Sequence, residues 1–315
     1  MAWAGLGFFN KKVTQSKIEL SIIIPSFNTE KLTLACLESI FKETKKTRFE
    51  VIVVDNASLD KTVKKIKEKF PQVKTVENKE NQGYAKANNE GIKIAQGEYI
   101  LFLNSDTLIL DKAIEKSLDF MKSRAGVDIL GCQLKNADGT IQSSGGYFPK
   151  LRRVFYQMFF IDDLPIINTL LKSYQENRRG FYKKTRSLDW VTGAFIMFKK
   201  NVLSEIKGFD ESFFMYSEEV DLCFRAKKIG FKIWFYPQAK VIHYKGGNDP
   251  QGFERAVLGE YQGLIKFYQK LRPLWELPIL KVLLKIGALT RIVLFGILEK
   301  DQNRRKVYEK AFKVV

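Results

Sequence analysis

Leu20-Ser21-Ile22-Ile23-Ile24-Pro25-Ser26-Phe27-Asn28 is an apolar run that stops in polar, turn-forming residues. Its β-branched core over residues 20–24 suits a strand buried on both faces, as strands of parallel sheets are. Three runs of the same kind follow at residues 51–54, 73–76 and 99–103. Between them apolar side chains recur at helical spacing, as in Leu34, Leu37, Ile40 and Phe41, and again in Val63, Ile66 and Phe70. Strand and helix in alternation predict an α/β chain with a doubly wound, mainly parallel sheet.

Ligands of such sheets bind beyond the carboxyl ends of the strands. The residues there are Pro25 to Asn28, Asp55-Asn56-Ala57-Ser58, Asn81-Gln82-Gly83 and Asn104-Ser105-Asp106. Turn formation and helix capping account for any one of these loops. Four acid-or-amide loops on one rim are harder to assign to turns alone, and they mark a nucleotide-binding half. Asp106, ending a buried strand among oxygen-bearing neighbours, suits a hard divalent cation such as Mg²⁺ or Mn²⁺.

Residues 107–150 continue with a helix and then glycine-rich turns at Asp138-Gly139 and Gly145-Gly146. Residues 150–186 mix aromatic and basic side chains, among them Arg152, Arg153, Phe155, Tyr156, Arg178 and Arg179, and read as a lid or insertion. A strand at 190–198 follows, then a turn at Gly208-Phe209-Asp210, a helix from Ser217 to about Lys228, and a short strand at 232–236. After Gly246-Gly247 two helices, 251–271 and 276–299, close the chain around Pro273.

Glu218, Glu219 and Asp221 open the helix after Ser217. The helix dipole explains one or two carboxylates at an N-terminus. Three within four residues repel, which points to a metal neighbour or to a carboxylate tuned for proton abstraction. The sole histidine, His243, follows a strand-like stretch and by itself reads as structural.

Composition sets the outer limits. With 315 residues and 45% hydrophobic content, the chain builds a core without staples, and its three dispersed cysteines read as reduced thiols of a cytoplasmic protein. The apolar opening lacks preceding basic residues and a cleavage site, so no signal peptide is expected. Lys281, Lys285 and Arg291 interrupt the best candidate for the ~20 apolar residues of a spanning helix. A net charge of +18 implies an anionic partner surface. No nucleic-acid motif accompanies it, and no G-x-G-x-x-G follows the first strand, which argues against nucleic-acid binding and dinucleotide redox chemistry.

Taken in order, residues 21–28, 53–60, 81–91, 103–107, 190–194, Gly208 to Asp210, 213–223 and His243 resemble the inverting family-2 glycosyltransferases of the GT-A fold, particularly their rhamnosyl- and galactofuranosyltransferase branch. The resemblance covers about residues 18–247. It implies a GT-A unit at 18–250 behind a tail at 1–17. It further implies that Pro25, Ser26, Phe27, Asn28, Asp55, Ser58, Asn81 and Gly83 bind the donor nucleotide, with Asn104, Ser105 and Asp106 beside its phosphates. Asp106 and His243 would hold Mg²⁺ or Mn²⁺, and Trp190, Thr192 and Gly193 would lie under the sugar and acceptor. Glu219 falls at the catalytic base, with Glu218 and Asp221 as companions. Two positions depart from the family pattern: Asn104 replaces the first acid of its DxD motif, and Glu219 replaces its usual Asp.

The implied partners are a nucleotide-sugar donor and a glycan or lipid-linked acceptor in cell-surface polysaccharide synthesis. The donor would be dTDP-rhamnose, with galactofuranosyl, glucosyl and N-acetylhexosaminyl donors as alternatives. A non-catalytic nucleotide-sugar scaffold is the rival reading, motivated by Asn104. Residues 251–315 form an amphipathic helical segment whose apolar, lysine-flanked stretch at 277–298 suits a membrane interface or another subunit. A peripheral position on the inner face of the cell membrane is therefore expected.

Overall fold

The computed structural model describes residues 17–164, 166–245 and 251–315; the apolar opening and the Gly246-Gly247 turn lie outside them. The first half runs β1 (Leu20–Ser26), α1 (Glu30–Glu43), β2 (Phe49–Asp55), α2 (Thr62–Lys69), β3 (Lys74–Glu77), α3 (Gly83–Ile94) and β4 (Tyr99–Leu103). These strands pair in parallel in the order β3-β2-β1-β4. Neighbouring residues explain the unbroken apolar runs: Ile23 joins the core on one face of the sheet, while Ile22 and Ile24 join the core on the other. A strand covered on both sides has no polar face to show.

The second half adds β5 (Thr107–Leu110), α4 (Ala113–Ser123), β6 (Ile129–Lys135), β7 (Gly145–Gly146), α5 (Leu151–Met158), α6 (Ile167–Leu170), β8 (Arg186–Leu188), β9 (Trp190–Val191), β10 (Phe195–Lys199), α7 (Lys200–Ile206), α8 (Glu218–Lys228) and β11 (Ile233–His243). Here the sheet is mixed. β10 lies antiparallel between β4 and β6, and β11 runs parallel to β6 but antiparallel to β5 and β8.

Three elements differ from the sequence reading. β5 and β6 lie where only a helix and turns were expected. The strand expected at 190–198 is two, because β9 pairs with β7 in a separate two-stranded sheet and residues 192–194 cross to β10. β11 extends well past 236, and its register against β6 shifts between Tyr236 and Lys240, which accommodates Pro237 and its missing donor.

The chain ends in α9 (Gly252–Leu271), α10 (Glu276–Val293), a π-helical turn Leu294–Leu298, and α11 (Gln302–Val314). α11 was not anticipated; Asp301 caps it by accepting from the Asn303 and Arg304 backbone N–H groups. α10 turns Leu280, Leu284, Gly287 and Ala288 inward. Arg291 donates to the Met158 and Gln157 carbonyls at the end of α5, at 2.8 and 2.9 Å. Leu264, Phe267 and Leu284 join the same core as Ile196 and Phe235 of the sheet. Among the described residues, no helix is long and apolar enough to cross a membrane.

Candidate active site

The polar loops of the rim are bonded to one another. Asn28 takes a left-handed φ of 53°, donates its N–H to Ser58 Oγ at 2.9 Å, and accepts from the Leu59 N–H through Oδ1 at 2.7 Å. Ser26 and Thr29 share a hydroxyl contact at 3.1 Å, and Thr29 reaches Ser105 at 3.1 Å, which ties β1 to the end of β4. Asp55 accepts from the Ser58 N–H at 2.9 Å through one oxygen, while its other oxygen is buried with no partner among the described residues. Asn81 accepts from the Gly83 N–H at 3.0 Å. Phe27, beside Pro25 at the mouth, is 43% exposed.

At the ends of β4 and β11 the structure brings Asn104, Asp106 and His243 together. His243 Nε2 lies 3.4 Å from Asp106 Oδ1 and 3.3 Å from the Asn104 amide nitrogen. Gln142 sets the tautomer. Its Nε2 donates to Asn136 Oδ1 and to the His243 carbonyl, so its Oε1 faces His243 Nδ1 at 2.7 Å. An amide oxygen only accepts; Nδ1 therefore carries a proton, which leaves Nε2 as the ring nitrogen that can ligate a cation. Asn104 Oδ1 is buried without a partner among the described residues, and a half-turn of the amide exchanges it with the nitrogen beside His243. One imidazole nitrogen, one carboxylate oxygen and one amide oxygen fit Mg²⁺ or Mn²⁺. Among the described residues, no three His, Cys, Asp or Glu side chains gather where they could hold a metal, so at this position the Asn104 amide would be the third ligand beside Asp106 and His243.

Glu218 and Glu219 open α8, and Tyr84 and Tyr216 feel the charge of both of them and of Asp106. Burial pushes the Glu219 carboxyl up to about 7, and burial together with the charge of Glu219 pushes Glu218 well above the usual range. Glu218 Oε2 is buried without a partner among the described residues. Two carboxylates so placed do not both ionise at neutral pH, and one proton stays with the pair. Tyr84 links the two halves of the site: its N–H donates to the Phe214 carbonyl at 2.7 Å and its hydroxyl to the Gly193 carbonyl at 2.9 Å. Burial, then Glu218, Glu219 and Asp106, hold its phenol well above the usual pKa, which places both acidic groups within electrostatic reach of one side chain.

The backbone presenting the pair is strained. Tyr216 and Ser217 adopt φ of 71° and 67°, a region that side-chain-bearing residues avoid. α9 holds them there: a Cβ on Gly259 would meet Tyr216 Cδ2 at 2.1 Å, and one on Gly263 would meet Ser217 Oγ at 2.4 Å.

The family model of glycosyl transferase family 2 matches residues 21–207, more than half of the chain. The chain belongs to that family. The N-acetylglucosaminyl-diphospho-decaprenol L-rhamnosyltransferase of Mycobacterium tuberculosis is 27% identical over 216 residues, covering 64% of this chain and 69% of its own length. The O-antigen biosynthesis protein RfbC of Myxococcus xanthus is 25% identical over 73% of this chain, which spans only 18% of that protein. A mannosyltransferase from Pyrobaculum calidifontis, solved in complex with GDP-Man and Mn²⁺, aligns over 95% of this chain and 84% of its own, with 17% identity and a TM-score of 0.57. The fold is thus the GT-A fold of glycosyltransferases.

Other residues expected in the transferase site are placed as follows. Trp190 is buried, its indole N–H donating to the Tyr174 carbonyl at 3.0 Å. Thr192 donates its N–H to the Ser144 carbonyl, and Gly193 presents its carbonyl to Tyr84. Asp221 is not brought to Glu219. Two helical positions differ by about 200°, and Asp221 instead accepts from Arg225 Nε at 2.8 Å and Nη2 at 2.7 Å, while Arg225 also bonds the Ile206 and Gly208 carbonyls. Replacing Asp221 with Ala should therefore cost stability, about 2 kcal/mol in urea unfolding. The turnover number of the folded enzyme should stay within about threefold. A larger loss of turnover with unchanged stability would return Asp221 to the catalytic group.

The sequence reading missed Gln142, Tyr84 and the Gly259/Gly263 pair. Tyr84 lies within the 81–91 stretch without a role being read for it, and the glycine pair leaves a trace of its own, since two glycines four apart inside a helix each cost about 1 kcal/mol and call for a close neighbour.

Proposed function

We propose that this glycosyltransferase moves a hexosyl group, rhamnose first among the candidates, from a nucleoside-diphosphate donor to a hydroxyl of a lipid-linked glycan, with inversion. The single observation carrying this reading is the Tyr84 phenol, which feels both the Glu218-Glu219 pair and Asp106, the neighbour of Asn104 and His243. The choice of sugar and acceptor follows the mycobacterial rhamnosyltransferase and the O-antigen protein among the relatives. Residues 18–250 carry the catalytic unit, 150–186 cover its acceptor side, and 251–315 brace it.

Phe27 and Pro25 pack the donor base, with Asn28, Asp55, Ser58, Asn81 and Gly83 around base and ribose; the unpartnered Asp55 oxygen awaits a hydroxyl donor. Asn104, Asp106 and His243 hold Mg²⁺ or Mn²⁺, which when bound offsets the charge gathering on the departing diphosphate. The Glu219 carboxylate accepts the acceptor hydroxyl proton as that oxygen bonds to the anomeric carbon. The bond from that carbon to the diphosphate oxygen breaks on the opposite face, and the anomeric configuration inverts. Glu218, kept protonated, donates a hydrogen bond rather than a second charge.

The test is release of nucleoside diphosphate from a panel of nucleotide sugars with Mn²⁺, Mg²⁺ or EDTA, with the product anomer read by NMR. One donor should be turned over, with inversion, and lose turnover in EDTA. A donor that binds but is not turned over with any lipid-linked acceptor would replace the enzyme reading with that of a binding scaffold.

Gln142 gives a sharper check of the cation site. Gln142→Leu frees the His243 ring to change tautomer and should weaken Mn²⁺ binding roughly 10- to 100-fold, read by electron paramagnetic resonance titration. Unchanged Mn²⁺ affinity would remove His243 from the ligand set.

A further inference from the structure

The outer face of α10 carries Ile279, Val282, Ile286, Leu289 and Val293, all exposed and spaced by three and four residues. Trp275, 64% exposed, extends that stripe, and no charged residue interrupts it. The inner face is already occupied by α5, α9 and α11, and the stripe has no partner among the described residues. α5, which packs against α10, leads into a second exposed apolar group that includes Ile166 and Leu170.

Charge selects the occupant. Lys281 and Lys285 border the stripe, and residues 272–315 hold ten Lys and Arg against four Asp and Glu. Glu276 is spent on Arg272, Glu309 on Arg305, and Glu299 and Asp301 on Arg304, which leaves the flank cationic. The spacing of the stripe also fits a coiled-coil seam. A second copy seated on the same face, however, would bring its own cationic flank against the first, the acids of that flank being already paired. An anionic lipid surface takes apolar side chains, an interfacial tryptophan and lysines together.

We propose that the α10 stripe is the face by which the enzyme lies on an anionic phospholipid surface, with α10 parallel to the membrane and Lys281 and Lys285 among the headgroups. The proposal rests on the lipid-linked acceptor of the preceding reading and supplies the surface on which that acceptor is met. It leaves α9 free to hold the strained turn, because the two helices use different faces.

The experiment is sedimentation of the full chain with vesicles of equimolar phosphatidylglycerol and phosphatidylcholine, against vesicles of phosphatidylcholine alone. The wild type should sediment with the anionic vesicles and be released by about 0.5 M salt. Val282→Glu/Leu289→Glu should bind at least roughly tenfold more weakly, and Ile286→Gln to an intermediate degree, with unchanged circular dichroism. Donor turnover on a water-soluble acceptor should be the same in all. Equal vesicle binding by wild type and double variant would overturn the proposal. So would a wild type that ignores vesicles but forms a dimer, by light scattering, that the double variant dissociates. Vesicle binding without donor turnover would uphold the surface while sinking the catalytic reading.

Discussion

Glu219→Gln should lower the turnover number by roughly 10³- to 10⁴-fold while leaving donor affinity within a few fold. The amide keeps the size and hydrogen-bonding reach of the carboxyl but cannot take up a proton. The proposed donor contacts are at the ends of β1, β2 and β4 and do not include Glu219, so ground-state binding has no reason to change. Folding should not suffer either. Burial raises the Glu219 pKa, so its ionised form is disfavoured in the folded state, and that penalty grows as pH rises from the ordinary carboxylate range toward about 7. A neutral amide removes the penalty, and the melting temperature of the variant at pH 8 should equal or exceed that of wild type. The same shift predicts the pH profile. The base works only as a carboxylate, so wild-type turnover should climb through about pH 7 and level off above it. A variant that melts normally and still turns over at more than a tenth of the wild-type rate would remove Glu219 from the base role.

The parallel half of the sheet was legible because a strand covered on both faces has to be written as a continuous apolar run; 20–24 and 99–103 carry no competing pattern. β6 was not, because Gly131, Cys132 and Gln133 sit in its middle, and a Cβ on Gly131 would meet Val191 Cβ at 2.6 Å. No local pattern reports that contact. The loops of the rim could be named since strand ends locate themselves. Gln142 could not, because its value depends on a fold that brings it against a histidine a hundred residues later. Asp221 shows the limit of counting charges. Three acids in four residues looked like one cluster, but the helical turn sends Asp221 toward Arg225 and away from Glu219. Asn104 goes the other way: standing where the family pattern has an acid, it has a buried oxygen without a partner among the described residues, suited to a cation that needs oxygen more than charge.

Gly263→Ala should cost activity where helix propensity alone predicts a gain. In an unconstrained helix interior the change stabilises by about 1 kcal/mol. Here the new Cβ would lie 2.4 Å from Ser217 Oγ, 2.7 Å from Ser217 Cβ and 3.0 Å from the Tyr216 carbonyl oxygen. The hydroxyl can rotate away, but Cβ and the carbonyl belong to the turn itself, so the turn must move. That turn is already held in left-handed φ at both residues and leads directly into Glu218 and Glu219. A displacement near 1 Å at a reacting group costs on the order of 10²-fold in rate, and this is the loss expected in turnover, with donor affinity spared. The companion change separates crowding from any general harm to α9. Ser217→Gly removes the two nearest contacting atoms and prefers the left-handed φ that serine resists. Gly263→Ala/Ser217→Gly should accordingly recover at least about tenfold of the lost turnover, and Ser217→Gly alone should change little. If Gly263→Ala keeps wild-type turnover, α9 does not position the acidic pair; if the double variant is no better than the single one, the contact with Ser217 is not what the glycine is there to permit.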